Sequence, residues 1–593
     1  MISRVFSSLS KYGTYPTLRK AVLKIRRSPI LNTYAHWIKN FECREINEFV
    51  AAAGCDPQRS ADTKLTVIIP VNGLDTDYLG DAIASVQRQS HNNWELICVI
   101  ESAKHHELAD FLALRGQSDS RISLRALCGE EQANGGPFQD GNHELVIFLG
   151  QNDMLHPRAL ECLAVAASTM PHVKLLYTDH DRIDAHQTRF EPYFKPQWSP
   201  ELLLSQNYVG NLICWNSRFL QTVRDRQESV DEEQEHAMLL RAAPQLKEED
   251  VFHIPFPLYH HRVDGHSDAD SSMETPCQLE SGSKAVADYW SQAIDCRVEP
   301  EVIVDSPLNL YHSKIELQTW PDVTLIVPHR DSPSLLKSVL ELWTQTDYPK
   351  LKLVLVDHSS SDPAAREMLD ELAGTDRATI SKYEGPFNFS RMCNQGVKSA
   401  DPNSHICFLN NDVQLLDFGW LKNLVPYLEI SGVVAAGPLL LYPDFSIQHA
   451  GIALGIGGFA GHYFKHLPYG APSYQRWAYS SRNTSALTGA ALLTRRSDFD
   501  AVGGFDEVDF PTSFSDVDLC LKLSQLGRLV YCPDSKLIHL ESQTRPKTDD
   551  IENIQRLRSK WGAEIDADTY FPTIFSRLTE SMTPNYRTFR PFR

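Results

Sequence analysis

The stretch VTLIVP at residues 323–328 has a near copy, LTVIIP, at residues 65–70. Both are short β-branched runs that end in proline, and a polar loop and a stretch with helical spacing follow each of them. Each run predicts a buried first strand, and two further strands are predicted in the same order, at Glu95–Ile100 and Leu145–Leu149 in the first copy and at Lys352–Asp357 and His405–Leu409 in the second. Strands that alternate with helices indicate parallel βαβ units, and their recurrence after roughly 260 residues indicates a duplicated α/β domain.

The chain has 593 residues, which is too many for one hydrophobic core, since single cores stop growing near about 250 to 300 residues. We predict five segments: a basic N-terminal helical segment (1–64), a first α/β domain (65–265), a connector (266–322), a second α/β domain (323–545), and a C-terminal helix and tail (546–593). The connector is predicted to hold a helix at Ser283–Ala293 and a polar extended segment ending near Trp320. The C-terminal helix is predicted at Asp550–Trp561.

Composition narrows the class of protein. A formal net charge of -19 argues against nucleic acid as a partner, because such binding rests on clustered Lys and Arg. The 12 cysteines are scattered without a CxxC pair, and they indicate reduced core thiols of a cytosolic protein. No apolar run reaches the roughly 18 residues that span a bilayer. We therefore expect a cytoplasmic protein.

The first 42 residues are basic, in contrast to the acidic remainder. Glu42 is their single acid, and they hold the cations Arg4, Lys11, Arg19, Lys20, Lys24, Arg26, Arg27 and Lys39. Leu18, Val22 and Ile25 repeat at helical spacing beside these cations. Two interpretations stay open at this point: a helix that lies on the anionic inner face of the cytoplasmic membrane, giving peripheral attachment, or a helix packed on its own domain.

Polar residues follow the predicted strands of the second copy. They are Pro328–Asp331 after the first strand, Asp357–Asp362 after the second, and Asn410–Asp412 after the third. In an open parallel sheet the ligand binds outside the carboxyl ends of the strands. A carboxylate there can hold a nucleotide base or ribose, and Asp412 is suited to a hard divalent cation that bridges a diphosphate. Capping of the loops by Asp and Asn is the simpler alternative for each one alone.

An ordered series of motifs in the second copy resembles the inverting family 2 glycosyltransferases, which have the GT-A fold. The series is VTLIVPHRD, VDHSSSD, FNFSRMCNQG, FLNNDV, LTGAALLTRR, GGFDE, FSDVDLCLKL and IHLES. In the first copy, YTDHDRID and FKPQWSPELLLSQNYVGN are similar to the tandem-domain bacterial branch that builds surface polysaccharides. The resemblance implies two tandem GT-A domains with mixed, mostly parallel sheets.

The resemblance also implies a role for individual residues. Asp516 becomes the catalytic base, although Ser515 replaces the acid that usually precedes it. Asp357 contacts the base, Asn394 supports the nucleotide from an NxG turn, and Pro328, Arg330 and Asn411 complete the nucleotide site. Asp412 and His539 become ligands of a manganese or magnesium ion, with Asn410 in place of the first metal-motif Asp. Thr488, Gly489 and Asp518 are expected on the acceptor side or in support of it. For His539 a buried structural histidine, and for Thr488-Gly489 a plain turn, remain alternatives.

The activity that the resemblance implies is inverting transfer of a hexose or deoxyhexose. The donor is a nucleotide sugar, and the acceptor is a hydroxyl of a glycan or lipid-linked acceptor in O-antigen or capsule synthesis. In the first copy Gly150-Gln151-Asn152 replaces the metal motif, Asp153 stands one position late, Glu235 can still accept a proton, and His260 corresponds to His539. We expect this copy to be degenerate. A bifunctional polymerase with two active domains and a non-catalytic glycan-binding scaffold are the rival interpretations.

Overall fold

The structure is a computed structural model that describes residues 33–54, 56–71, 76–100, 106–126, 144–223, 235–263, 276–294, 298, 300–541 and 551–586. Within these residues the first domain holds a nine-stranded sheet. Its strands are β1 (Leu65–Val71), β2 (Trp94–Ile100), β3 (Ile122–Ala126), β4 (Leu145–Phe148), β5 (Met154–Leu155), β6 (Leu175–Ile183), β7 (Arg189–Tyr193), β8 (Ile213–Asn216) and β9 (Val251–Arg262). They are arranged in the order β3-β2-β1-β4-β8-β6-β9-β5, with β7 beside β6.

A two-stranded hairpin of β10 (Glu301–Asp305) and β11 (Leu310–Lys314) separates this sheet from the second one. The remaining strands are β12 (Val323–His329), β13 (Leu351–Asp357), β14 (Ala378–Lys382), β15 (His405–Leu409), β16 (Val413–Leu415), β17 (Val433–Leu441), β18 (Ile447–His449), β19 (Ile452–Leu454), β20 (Ala460–His462), β21 (Arg482–Asn483), β22 (Ala491–Thr494) and β23 (Arg528–His539). The second sheet has the order β14-β13-β12-β15-β22-β17-β23-β16, while β19 and β20 form a separate hairpin.

The two sheets have the same main strand order, and the second has one additional strand, β21, beside β23. In each sheet the first four strands of this order are parallel to one another, as in β1-β2 and β12-β13, and the fifth strand, β8 or β22, is antiparallel to both of its neighbours. The next pair, β6-β9 or β17-β23, is parallel, and the last strand, β5 or β16, is antiparallel. The first strands are buried along their length because helices cover both faces. The prediction of two tandem domains with mixed, mostly parallel sheets, the GT-A arrangement, is confirmed. The exact segment boundaries stay a prediction.

The helices of 6 residues or more lie on the faces of the two sheets and at the chain ends. In chain order they are α1 (Cys43–Ala52), α2 (Pro57–Asp62), α3 (Thr76–Gln87), α4 (His106–Ser118), α5 (Ala159–Thr169), α6 (Ser217–Val223), α7 (Glu235–Ala242), α8 (Pro276–Ala293), α9 (Pro333–Gln345), α10 (Pro363–Ala373), α11 (Phe389–Ser399), α12 (Trp420–Glu429), α13 (Arg496–Ala501), α14 (Ser515–Leu523) and α15 (Ile551–Asp566). A short turn of helix at Tyr34–Trp37 precedes α1.

Three local predictions need correction. The connector helix begins at Pro276 rather than Ser283, and the extended segment after it contains the β10-β11 hairpin. The C-terminal helix continues past Trp561 to Asp566 through a residue with non-helical angles. The proposed NxG turn at Asn394 lies inside α11, because Asn388 caps that helix through the Arg391 amide and the chain stays helical to Ser399.

The N-terminal segment packs on the first domain over the part that the structure describes. Tyr34 and Trp37 are buried, and their rings stack and contact Phe194. The packed interpretation therefore holds for residues 33–54. Leu18, Val22 and Ile25, on which the membrane interpretation rests, lie outside the described residues.

The two domains meet through buried polar contacts as well as a shared apolar cluster. Arg528 of the second domain donates to Glu201 of the first, with Nη2 2.7 Å from Oε1, and Glu201 has no exposed surface. Ser199 and Asn483 are joined by a 2.8 Å side-chain hydrogen bond. Since a buried charge is tolerated only when it is paired, the Arg528–Glu201 contact fixes how the domains pack. Among the described helices, none has the length and apolar character needed to cross a bilayer.

Candidate active site

A cavity of about 990 Å³ opens at the carboxyl ends of β12 and β15 in the second domain. It is lined by Pro328, His329, Arg330, His358, Phe387, Phe389, Met392, Asn410, Asn411, Asp412, Gln448, His462, Thr488, Gly489, Ala490, Thr512, Ser513, Phe514, Ser515, Asp516, His539 and Glu541. Strand-end loops therefore meet where the topology predicts a ligand site. Eight of the eleven predicted site residues line this one cavity: Pro328, Arg330, Asn411, Asp412, Thr488, Gly489, Asp516 and His539.

Asp516 lies on the first turn of α14, next to a strained residue. Phe514, just before the helix, has a backbone φ of 58°, which residues other than glycine rarely adopt. The Gly489 amide donates to Asp516 Oδ2 at 2.9 Å, and the Val517 amide donates to Oδ1 at 2.9 Å. Both carboxylate oxygens are thus oriented by the backbone. A carboxylate held in this way at the cavity wall is suited to accept a proton from a bound hydroxyl.

Gly489 leaves little room beside this carboxylate. A Cβ added at Gly489 would lie 3.3 Å from Asp516 Cβ and 3.8 Å from Oδ2. We therefore expect Gly489→Ala to displace the carboxylate by a few tenths of an ångström and to lower kcat by about tenfold to a hundredfold, since small misplacements are costly in catalysis.

The matched control is Gly562→Ala in α15, where an added Cβ meets nothing within 4 Å. Steady-state kinetics and thermal melting of both variants check this. An unchanged kcat in Gly489→Ala would show that this close contact does not position the base.

Asp412 and His539 are brought together by strand pairing. Val413 of β16 pairs with His539 of β23, so Asp412, directly before β16, lies beside the histidine. His539 Nε2 lies 3.1 Å from Asp412 Oδ1, and both side chains are almost fully buried at the cavity wall. Two adjacent ligands of one Mn²⁺ or Mg²⁺ ion lie about 3 Å apart when each is about 2.1 Å from the metal. The pair therefore fits a divalent cation.

Within the part of the chain that the structure describes, no group of three or more His, Cys, Asp and Glu side chains gathers to hold a metal. Asp412 and His539 would therefore supply two protein ligands. Magnesium-like ions are commonly held by one or two protein groups together with phosphate oxygens and water. The pair fits a cation that is held jointly with a diphosphate.

The histidine-rich wall beside this pair was missed in the sequence. His462, at the end of β20, lines the cavity, and its Nδ1 lies 3.0 Å from Nδ1 of His449. Burial lowers the pKa of His462 to about 3 and also lowers the pKa of His449, so both rings stay uncharged at neutral pH. Glu541 also lines the cavity and accepts a hydrogen bond from Tyr442 at 2.6 Å. Glu541 stands two residues after His539 within the IHLES motif, which was a signal for it, whereas His449 and His462 lie outside every quoted motif.

Three predicted residues do not line the cavity. Asp357 accepts from Ser360, with Oγ 2.5 Å from Oδ1, and so closes the loop after β13. Asn394 donates from α11 to the Phe505 carbonyl and to Glu507, each at 2.9 Å. Both side chains therefore support loops near the site rather than face the cavity.

Asp518 is the third of these residues. Its side chain is completely buried. It accepts a 2.8 Å hydrogen bond from the Trp561 indole and forms an ion pair with Lys560, whose Nζ lies 2.7 Å away. It therefore anchors the C-terminal helix α15 against α14. Of the two roles expected for Asp518, support is the one that these contacts favour.

Comparison with known proteins matches this part of the chain. Residues 321–562 match the family model described as glycosyltransferase like family 2. This part of the chain belongs to glycosyltransferase family 2. The family 2 domain thus includes the whole cavity and the helix α15 that Asp518 anchors.

Relatives extend the similarity beyond the family 2 domain. The O-antigen biosynthesis protein RfbC of Myxococcus xanthus is 32% identical over 526 residues, which cover 87% of this chain and 40% of that protein. An N-acetylglucosaminyl-diphospho-decaprenol L-rhamnosyltransferase of Mycobacterium tuberculosis is 36% identical over 113 residues, 18% of this chain and 36% of that one. The matched stretches cover less than half the length of each of these curated relatives.

Among solved structures, the mannosyltransferase PcManGT of Pyrobaculum calidifontis, in complex with GDP-Man and Mn²⁺, is similar over 43% of this chain and 66% of its own. The TM-score is 0.32 at 17% identity. At such a score the assignment of the fold rests on the strand order of the two sheets themselves.

The first copy places a carboxylate where the family 2 domain has Asp412. Met154 of β5 pairs with His260 of β9, just as Val413 pairs with His539. Asp153 directly precedes Met154. The loop between β4 and β5 is one residue longer than the loop between β15 and β16. This extra residue made Asp153 look one position late in the sequence, and the prediction that its carboxylate is out of place is therefore corrected. The correspondence of His260 and His539 agrees with the register.

Asp153 nevertheless differs from Asp412 in its contacts. The Tyr259 hydroxyl donates to its Oδ2 at 2.5 Å, and the Arg262 amide donates to its Oδ1 at 2.8 Å. His261 Nδ1 lies 3.2 Å from Oδ2. Both oxygens are therefore used within the protein, and the side chain is almost fully buried.

The N-terminal segment covers the same place from outside. His260 Nδ1 lies 2.6 Å from Asp181 Oδ1, and Tyr34 donates to Asp181 Oδ2 at 2.5 Å. Arg189 donates to Asp181 at 2.6 Å and to both oxygens of Glu42 at 2.8 and 2.6 Å. This ion-pair network surrounds His260, the register counterpart of His539. The base-like residue of the first copy, Glu235, begins α7 and is likewise buried.

Proposed function

We propose that the family 2 domain transfers a sugar from a nucleotide-diphosphate donor to a hydroxyl of a glycan or lipid-linked acceptor. The observation that carries this proposal is the placement of an oriented carboxylate, Asp516, and an Asp412–His539 pair on the walls of one cavity. The names of the relatives support O-antigen or related surface-polysaccharide synthesis as the setting.

Displacement of a diphosphate from an anomeric carbon needs a base for the acceptor hydroxyl and a stabilising charge for the diphosphate, and the two sides of the cavity supply these separately. The oxygen of the acceptor hydroxyl attacks the anomeric carbon while Asp516 accepts the proton of that hydroxyl. The bond from the anomeric carbon to the diphosphate breaks on the opposite face. A divalent cation held by Asp412 and His539 would neutralise negative charge on the departing diphosphate. One displacement of this kind inverts the anomeric configuration.

The strand-end loops would hold the nucleotide while the displacement occurs. Asp331 Oδ1 accepts from the amides of Ser361 and Asp362 at 2.6 and 2.9 Å, so the loops after β12 and β13 are tied together. Arg330, beside this tie, lines the cavity with a cationic side chain that is suited to phosphate. These contacts support a preorganised nucleotide site.

We further propose that the first domain has no donor site of its own. The register counterparts of Asp412 and His539 support this proposal, because Asp153 accepts hydrogen bonds from protein groups on both oxygens and His260 lies against the network of Asp181, Tyr34, Glu42 and Arg189. A role in binding the acceptor glycan or in supporting the family 2 domain remains for it.

The anomeric configuration of the product tests the proposed reaction. Nucleotide sugars with uridine, thymidine and guanosine are first screened with Mn²⁺ for a rise in melting temperature, because a ligand that binds only the folded state stabilises it. The selected donor is then incubated with a lipid-linked glycan acceptor, and the product linkage is read by NMR. We expect inversion relative to the donor. Retention, or the failure of every donor to bind, would contradict the proposal.

A further inference from the structure

A histidine of the cavity wall has one ring nitrogen that no described protein group uses. His462 ends β20, is partly exposed and lines the cavity. Its backbone amide donates to Glu580 Oε1 at 2.9 Å, so the C-terminal tail fixes its position. Its ring Nδ1 is used by His449, but Nε2 has no hydrogen-bond partner among the described residues and is not buried. The Nε2 atom is therefore open to a ligand in the cavity.

The hydrogen bonds of His449 decide which nitrogen of His462 carries the hydrogen. The Gly451 amide donates to His449 Nε2 at 3.3 Å, so this nitrogen is bare. An uncharged imidazole carries one hydrogen, which His449 therefore has on Nδ1 and donates to His462 Nδ1, 3.0 Å away. His462 Nδ1 is then bare as well, and the hydrogen of that ring lies on Nε2. The low pKa of both rings, which results from burial, agrees with two uncharged tautomers.

The Nε2–H group of His462 is a neutral donor, and this limits what it can bind. A nitrogen that carries a hydrogen does not ligate a cation, because ligating imidazoles use a bare nitrogen. His462 is therefore distinct in role from the Asp412–His539 pair. Its partner in the cavity must be a hydrogen-bond acceptor, either an oxygen of the diphosphate or an oxygen of a sugar.

The groups near His462 favour a sugar hydroxyl over a phosphate. Glu541, two residues after His539, lines the cavity with a carboxylate that is half exposed. Burial lowers the pKa of His462, and the charge of Glu541 acts against this effect, which indicates that the two side chains lie near each other. A carboxylate repels a phosphate. A hydroxyl can accept from an N–H and donate to a carboxylate at the same time.

A neutral amide extends this wall. Gln448 directly precedes His449 in β18 and lines the cavity. Its side-chain nitrogen has no hydrogen-bond partner among the described residues. Uncharged donors beside a carboxylate are suited to a ligand part that is polar and uncharged. In a nucleotide sugar that part is the sugar.

The position of the wall indicates which sugar it meets. A cation at Asp412 and His539 would hold the diphosphate, and the transferred sugar is bonded directly to that diphosphate. On the basis of the proposed function, we propose that His462 Nε2–H donates a hydrogen bond to a hydroxyl oxygen of the transferred sugar. His449 is the positioning residue that keeps the hydrogen on this nitrogen.

Binding of nucleotide sugars and of the matching nucleotides to the full chain separates a sugar contact from a nucleotide contact. UDP-glucose, dTDP-rhamnose and GDP-mannose, and also UDP, dTDP and GDP, are titrated calorimetrically in the presence of Mn²⁺. For each pair that the wild-type chain binds, we expect His462→Phe to raise the Kd of the nucleotide sugar about tenfold and to leave that of the nucleotide within about twofold, because only the sugar loses its donor. His172, exposed on the first domain, gives the matched control, and His172→Phe should change neither Kd.

The outcomes distinguish this inference from the proposed function. An unchanged Kd of the nucleotide sugar in His462→Phe would overturn the sugar contact alone. An equal loss of affinity for the nucleotide and the nucleotide sugar would also overturn it, because the contact would then be to the diphosphate. If the wild-type chain binds none of the three nucleotide sugars, the transferase proposal is wrong and the sugar contact with it.

Two variants of His449 test its positioning role. His449→Leu removes the donor to His462 Nδ1, whereas the side-chain amide introduced by His449→Asn can still supply an N–H. We expect His449→Leu to weaken the nucleotide sugar severalfold and His449→Asn to restore most of its affinity, with the nucleotide bound equally by both. Thermal melting shows which variants are folded, and the His449 pair decides the proposal if His462→Phe is not. Equal nucleotide-sugar affinities of the two His449 variants would overturn it.

Discussion

Replacement of Asp412 by alanine is expected to abolish metal-dependent transfer while the melting temperature stays nearly unchanged. The side chain lies in the loop between β15 and β16 at the cavity wall, with His539 Nε2 3.1 Å from its Oδ1. Loss of one of two protein ligands removes the site that would hold the cation against the diphosphate. Since electrostatic stabilisation of a leaving group contributes about 10² to 10³ in kcat, we expect a loss of at least that size.

Manganese titration of the wild-type chain and of Asp412→Ala checks this result. The Asp153→Ala variant of the first copy is the matched control, because it removes the register-equivalent carboxylate from a place that the protein fills with its own groups. Asp153→Ala should affect stability more than turnover. Full activity of Asp412→Ala in the presence of a chelator would show that the reaction needs no metal at this pair.

Replacement of Asp516 by asparagine is expected to give the second large loss. Asparagine preserves the size of the side chain, and its carbonyl oxygen can still accept from the Gly489 amide. It cannot take up the proton of the acceptor hydroxyl. General base catalysis contributes about 10² to 10⁴, so kcat should fall by at least about a hundredfold.

Donor affinity should stay close to the wild-type value in Asp516→Asn, because the nucleotide end of the cavity lies in other loops. Calorimetric binding of the nucleotide and single-turnover transfer measure the two quantities separately. A loss of nucleotide affinity as large as the loss of kcat would point to a binding role for Asp516 in place of proton transfer.

The sheets could be predicted from the sequence because their signals are local. LTVIIP is buried from end to end and VTLIVP is buried up to Pro328, which lines the cavity, and the order of the elements after them was sufficient to predict the duplication. Local signals also placed Asp516 at a helix start and Asp412 after a strand. The fold and the residues proposed for proton transfer and metal binding could therefore both be predicted from the sequence.

The residues that line the nucleotide end of the cavity were harder to predict from the sequence, because the direction in which each side chain points decides whether it lines the cavity. Asp357 and His358 are neighbours in the chain, yet the first turns into its loop and the second lines the cavity. Asn394 matched a motif but lies within α11, where it binds a segment more than 100 residues away. Spacing along the chain does not record which of two adjacent side chains turns inward.

The state of the first copy could not be predicted because it depends on distant contacts. Tyr34 and Asp181 are 147 residues apart and lie within 2.5 Å of each other through their side chains. The loop before β5 also shifts Asp153 into the register of Asp412, which residue counting had excluded. A carboxylate is therefore present in both copies, and the distinction between them lies in what surrounds it.

The measurement that tests the central claim most directly is the transfer rate of Glu235→Gln at saturating acceptor, compared with that of Asp516→Asn. Glu235 begins α7 as the counterpart of the base, and glutamine preserves its size. If the family 2 domain alone carries the chemistry, the Glu235→Gln rate stays within about twofold of wild type, with at most a modest change in acceptor affinity, while Asp516→Asn loses at least about a hundredfold. Comparable losses in both folded variants would contradict this account and show two working sites, as in a bifunctional polymerase.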